Sequence, residues 1–258
     1  MTSREFTVGQ LRVVVHNTRE ESGEAAAART ATLIQNAIDQ RGQARIIVAT
    51  GNSQLAFIDA LVRHDEVDWR RVEVFHMDEY VGMSADHPAS FRKWIRERVV
   101  ERVRPAAAYY IEGDAEDLEA EMRRYANLLS DRVPDLAFVG IGENGHIAFN
   151  DPPVADFCDP LLIKRVQLDE RCRLQQVGEG HFPDLASTPT EALTLTCPAL
   201  LSARHLICCV PELRKAQAVR DALLGPISTE CPASILRTHG DAVLYLDAES
   251  ASLLPELS

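Results

Sequence analysis

The chain reads as a single α/β domain built on a doubly wound, mainly parallel sheet with helices on both faces. Three observations predict it. Short apolar runs rich in β-branched residues recur along the 258 residues, with amphipathic stretches between them. Runs that carry no polar alternation suit strands buried on both faces, the condition of a parallel sheet. Neither an internal repeat nor a Gly/Ser/Pro-rich linker divides the sequence, so one unit over residues 1–258 is expected.

The elements follow in order. Leu11–His16 is the first apolar run. Asn17 or Thr18 can cap the next helix, with Glu20 and Glu21 in its first turn where they suit the dipole, and alanines carry it to about Ile38. Arg45–Thr50 is a short strand, and Gly51 opens a helix to Val62. Val72–Met77 is the next strand, Ser90–Val103 a helix, Ala108–Ile111 a strand and Ala115–Leu129 a helix. Asp135–Ile141 is a buried strand. Residues 150–185 lack a regular pattern and are expected to form a mobile lid. Ala192–Thr196 and His205–Val210 are strands, Leu213–Leu224 a helix and Ala242–Leu246 the last strand.

With 27 Lys and Arg against 39 Asp and Glu, the formal net charge is −12. That balance argues against a nucleic-acid partner, which calls for a basic face. An anionic substrate would have to be held by local donors. Met1–Val8 is charged and unlike a signal peptide, and no run approaches the roughly 20 apolar residues of a membrane span, so a cytoplasmic location without membrane contact is expected. The six cysteines contain no C-x-x-C pair and are expected to be reduced, with Cys208 and Cys209 as small buried hydrophobes. His64-Asp65-Glu66 fits the H-x-E of zinc deaminases, but no P-C-x-x-C follows, so no metal is expected and His64 reads as the end of a helix. His16, His181, His205 and His239 share no spacing.

Ligands of open parallel sheets bind beyond the carboxyl ends of the strands. Three such ends are informative. Thr50-Gly51-Asn52-Ser53 offers a tight turn, hydroxyls and the amides of a helix start, a setting suited to a phosphate or to mere helix capping. His76-Met77-Asp78-Glu79-Tyr80 ends another strand. Adjacent side chains there point to opposite sides, so one of Asp78 and Glu79 faces the cleft and the other binds backbone or a helix terminus. A desolvated aspartate at that place has a raised pKa and serves as a base. The third end, Gly140 to Pro152, carries His146 and Asp151 in a glycine-punctuated loop, a histidine able to exchange protons and a carboxylate able to fix its tautomer.

Taken together, V-x-x-F-x-M-D-E-Y (Val72–Tyr80), H-P-x-S (His87–Ser90) and G-I-G-x-N-G-H-I-A-F-N-[DE]-P (Gly140–Pro152) resemble the glucosamine-6-phosphate deaminase (isomerising) family, which shares a superfamily with 6-phosphogluconolactonase. The resemblance covers nearly the whole chain and implies a doubly wound α/β fold. It implies Asp78 as the base that takes the C2 proton and His146 as the ring-opening acid/base, with Asp151 as its partner and Asn144 in the same catalytic loop. It implies a phosphate site made of Thr50, Gly51, Asn52 and Ser53, with Arg173 in the lid and Lys215 opening a late helix. Arg171 competes with Arg173 for register. The implied partner is a small phosphorylated amino sugar, with no cofactor and with a homo-oligomer possible. The family's departures here are Asn52 for a second glycine, Gln54 for proline, Asp151 for a glutamate one methylene longer, and Leu174–Gly180 for a different, Asn-containing segment. The shorter Asp151 leaves room for a water between it and the imidazole. A 6-phosphogluconolactonase, a galacto-specific enzyme and a non-catalytic sugar-phosphate sensor are the rival readings, and the base Asp78 argues against a sensor.

Overall fold

The computed structural model describes residues 3–255. Its strands are β1 (Arg4–Val8), β2 (Leu11–Val15), β3 (Ala44–Val48), β4 (Val72–His76), β5 (Asp78–Tyr80), β6 (Ala107–Tyr109), β7 (Leu136–Val139), β8 (Ile163–Gln167), β9 (Glu191–Leu195), β10 (His205–Val210) and β11 (Ala242–Leu246). Its α-helices are α1 (Arg19–Arg41), α2 (Leu55–Leu61), α3 (Phe91–Ile95), α4 (Glu101–Val103), α5 (Leu118–Ser130), α6 (Glu170–Gly178), α7 (Cys197–Leu201) and α8 (Ala216–Leu224). Among the described residues no helix is long and apolar enough to cross a membrane.

The larger sheet has the order β1-β2-β11-β10-β7-β3-β4-β6 and is parallel except where β1 pairs β2. Its central strands alternate between two cores. Ile46, Val48, Leu136, Phe138, Ile207 and Cys209 pack on one face, with α1 and α2. Ile47, Ala137, Val139, Leu206 and Cys208 pack on the other, with α5, α7 and α8. This is the period-2 arrangement of strands buried on both sides. Cys208 and Cys209 thus fill opposite cores, and all six cysteines are free. Thr18 caps α1: its hydroxyl accepts from Glu21 N at 3.1 Å, while the Glu21 carboxylate accepts from Asn17 N at 3.2 Å.

From β3 the chain steps outward to β4 and β6, then returns to β7 beside β3 and steps the other way through β10 and β11. The crevice between the carboxyl ends of β3 and β7 is therefore the topological switch point of the sheet, where α/β folds bind ligands.

Several expected elements differ in detail. The helix expected from Gly51 begins as a 3₁₀ turn at Asn52–Gln54 before α2, and the helix expected over Ser90–Val103 is interrupted by a π turn at Arg96–Val100. The segment 150–185 is not irregular throughout: it contains β8 and α6. β8 joins β9 and β5 in a second, antiparallel sheet of order β5-β9-β8. Tyr80, Phe91, Phe149, Phe182 and Cys172 form a third apolar cluster between that sheet and α6.

Candidate active site

Four neighbouring strands, in the order β10-β7-β3-β4, bring their carboxyl ends to one cleft. Lys215 follows β10, His146 follows β7, the Thr50–Ser53 loop follows β3 and Asp78 follows β4. A cavity of about 80 Å³ lies among them, lined by Thr50, Gly51, Ser53, Asp78, His146 and Lys215 with Gln175, Gln176 and Glu179 from the α6 segment.

Asp78 and Glu79 divide as the strand geometry requires. Asp78 lines the cavity with 6% of its surface exposed. Burial, then the charge of Glu79, pushes its carboxyl well above the ordinary 3.8. Glu79 points the other way and is fully buried. It accepts from Ser90 Oγ at 2.8 Å and from the amides of Tyr80, Arg92 and Phe91 at 3.0, 3.0 and 3.3 Å. These bonds fasten the strand end to the start of α3, where Ser90 Oγ also accepts from Lys93 N. Glu79 thus holds Asp78 in place from behind.

His146 is oriented by its own loop. Its Nδ1 lies 2.7 Å from Asn144 Oδ1 and 2.9 Å from Asp151 Oδ1, and Asn144 Nδ2 donates to that same Asp151 oxygen at 2.9 Å. The shorter aspartate therefore reaches the imidazole directly. Asp151 is fully buried; burial alone would raise its carboxyl, but the His146 and Asn144 bonds and the Asp169 amide outweigh this and hold it below 3.8. With Nδ1 engaged, Nε2 is the ring nitrogen left for a substrate. Ala148, at φ 50°, sits in the same turn, a left-handed backbone in a residue with a Cβ and so a strained one.

Among the described residues, His146, Asp151 and Cys172 each bring one possible metal-ligating atom within 4.8 Å of the others. The Cys172 thiol is pushed far up by burial and by the surrounding aspartates, and donates to Asp151. The trio forms a hydrogen-bonded cluster that steadies Asp151.

The phosphate ligands expected from sequence are only partly brought together. Thr50, Gly51, Ser53 and Lys215 line the cavity, and Lys215 is 2% exposed. Asn52 instead turns its amide toward Glu179 O at 3.4 Å. Arg173 does not reach the cleft: its guanidinium donates to the carbonyls of Leu185, Thr188 and Pro189 at 2.6, 2.9 and 3.0 Å. Arg171 lines a separate hollow beside Asn144 and Cys231. The residues that sequence reasoning missed are Gln175, Gln176 and Glu179. The departure at Leu174–Gly180 was the available signal.

A family model described as glucosamine-6-phosphate isomerases/6-phosphogluconolactonase matches residues 17–153. A glucosamine-6-phosphate deaminase of Exiguobacterium sibiricum is 35% identical over 237 residues, 92% of this chain and 92% of that protein. Glucosamine-6-phosphate deaminase 1 of Bacillus subtilis is 33% identical over 251 residues, 95% of this chain and all of that one. Among solved structures, a monomeric glucosamine-6-phosphate deaminase superposes with a TM-score of 0.86 at 32% identity, covering 93% of this chain and 99% of its own. A 6-phosphogluconolactonase from Shewanella baltica, at 22% identity and a TM-score of 0.77 over 94% of this chain and 98% of its own, shares the fold.

Proposed function

The chain belongs to the glucosamine-6-phosphate isomerase/6-phosphogluconolactonase family, and within it we propose that this protein is a glucosamine-6-phosphate deaminase, converting glucosamine 6-phosphate and water to fructose 6-phosphate and ammonium. The observation that carries the reading is the pairing, in one cleft, of a buried Asp78 whose carboxyl is raised with a His146 tied to Asp151.

The chemistry follows from those two groups. His146 Nε2 exchanges a proton with the ring oxygen and the C1 hydroxyl, opening the pyranose to the aldehyde. The Asp78 carboxylate takes the proton from C2, giving an enolamine, and returns it to C1. The C2 imine that results adds water and loses ammonia, leaving the ketone. Desolvation raises the basicity of Asp78, which the weakly acidic C2 proton needs. The Thr50 and Ser53 hydroxyls and the Lys215 ammonium hold the phosphate and so orient C1 and C2. Arg173 has no part in this arrangement. The steps above use Asp78, His146, Thr50, Ser53 and Lys215 of this chain. A cytoplasmic enzyme acting on a cytoplasmic sugar phosphate fits this chemistry.

The test is ammonia release from glucosamine 6-phosphate, run beside hydrolysis of 6-phosphogluconolactone. Rapid ammonia release with negligible lactone hydrolysis is expected. The reverse pattern would replace this reading with the lactonase one.

A further inference from the structure

The cation assigned above to a substrate phosphate, Lys215, already faces an anion of the protein's own. The Glu179 side chain is 6% exposed and lines the cavity. Its carboxylate lies 3.9 Å from Lys215 Nζ and 3.5 Å from Arg214 Nη1, and accepts from Gln175 Nε2 at 2.8 Å. His181 Nε2 is 3.4 Å away without a hydrogen bond. The backbone is seated on the same loop, since Glu179 O accepts from Asn52 Nδ2.

We propose that Glu179 is a specificity-determining residue of this cleft, an internal carboxylate that stands at the phosphate end, competes with the substrate's phosphate for Lys215, and must be displaced for the sugar phosphate to bind. The proposal rests on the assignment of Thr50, Ser53 and Lys215 to phosphate.

Three further observations support it. Among the described residues, Glu179 is the acid within ion-pairing distance of the buried Lys215, yet 3.9 Å is too long for a hydrogen bond and leaves the ammonium's donors open to a closer oxygen. Second, Glu179 stays charged throughout the working pH range: burial would raise its carboxyl, but the facing His181 ring, the charges of Lys215 and Arg214 and the Gln175 bond bring it down to about 2. A phosphate dianion entering beside it meets a full negative charge in a site shielded from water. Third, the cavity of about 80 Å³ is well below the roughly 300–1,000 Å³ typical of small-molecule sites, and Gln175, Gln176 and Glu179 are part of its lining. Exposed glycines flank the residue, Gly178 and Gly180; an added Cβ on either would meet nothing within 4 Å, and Gly180 is left-handed at φ 81°. The side-chain faces of both flanking residues are open, while the backbone between them is held by Glu179 N on Gln175 O, Gly180 N on Val177 O and the Asn52 bond.

Binding of inorganic phosphate, measured by calorimetry without any turnover, tests the proposal. Glu179→Gln keeps the shape and the Gln175 contact but removes the charge; Glu179→Ala removes both. Each is expected to bind phosphate roughly ten- to a hundredfold more tightly than the parent, the range of one charge-assisted contact. In a Glu179→Gln, Lys215→Ala double variant the gain should disappear. Unchanged or weaker phosphate binding in both single variants would overturn the proposal, the weaker result meaning that Glu179 holds Lys215 in place for the phosphate rather than competing with it. Undetectable binding in every form would overturn it too. Ammonia release is read separately on the same proteins, so tighter phosphate binding without deamination would leave this inference standing and remove the deaminase reading.

Discussion

Gly142 and His146 are fitted to each other. Gly142 N donates to His146 O at 2.9 Å, and a Cβ added at Gly142 would lie 2.1 to 2.4 Å from Cε1, Nε2 and Nδ1 of the imidazole. The glycine is needed because the ring of the proposed proton shuttle lies flat against its backbone.

Gly142→Ala is therefore expected to fold, since its backbone is not left-handed, but to push the imidazole away from Asn144 and Asp151. Deamination should slow by about 10² or more, the scale of a misplaced acid/base group. Steady-state kinetics beside a thermal melt check this. Parental turnover in a folded variant would show that the ring tolerates displacement.

The base gives a paired prediction on rate and stability. The Asp78 carboxyl is held well above 3.8. Between 3.8 and that raised value the native state keeps a proton the unfolded chain has lost, so this group makes stability fall as pH rises, and its penalty is complete above the raised pKa. Asp78→Asn should thus melt higher than the parent near neutral pH, by about 2–4 °C per kcal/mol relieved, while losing at least about 10³ in turnover. In the parent, kcat/KM should rise with pH through the same raised pKa, because only the carboxylate accepts the C2 proton. An Asn variant that melts lower than the parent would contradict the burial argument.

The two cations named from sequence should separate by experiment. Lys215→Ala is expected to weaken inhibition by inorganic phosphate about tenfold or more. Arg173→Ala should instead leave carbonyls of 185–189 short of donors and cost about 1–3 kcal/mol of stability, with a smaller effect on phosphate. Denaturant unfolding and phosphate inhibition, measured on both, decide the matter. Greater loss of phosphate affinity from Arg173→Ala would return that residue to the site.

What the sequence made legible follows the strength of each local signal. Strands buried on both faces, such as β3, β7 and β10, announce themselves as unbroken apolar runs, and the motifs at their ends place Asp78, His146 and Lys215. β1 and β8 were missed because each exposes one face and carries charge, in Arg4 and Glu5 or Lys164 and Arg165. α6 buries only Cys172 and Gln176, a stripe too thin to register as an amphipathic helix. For the same reason, the departure at Leu174–Gly180 marked the segment but not the position within it of Glu179. Its place over Lys215 depends on how α6 docks, through Tyr80 Oη on Gln176 and Glu143 N on Gln175, and no local pattern encodes that.

The division of labour between the two proton carriers can be read directly. If His146 serves ring opening and Asp78 serves the C1–C2 transfer, His146→Gln should be slowed by about 10²–10⁴ on the cyclic aldose. Solvent deuterium exchange at C1 of fructose 6-phosphate, run with ammonium, should suffer far less, because forming the imine and moving the C1 proton do not need a closed pyranose. Asp78→Asn should abolish both. The geometry favours this split, since the two side chains leave different strands and His146 is engaged behind by Asn144 and Asp151, not by Asp78. Asp151→Asn should follow His146→Gln in pattern but more mildly, for Asn144 remains to hold Nδ1. Equal loss of C1 exchange in the His146 and Asp78 variants, both folded, would mean that the two act as one proton-transfer unit.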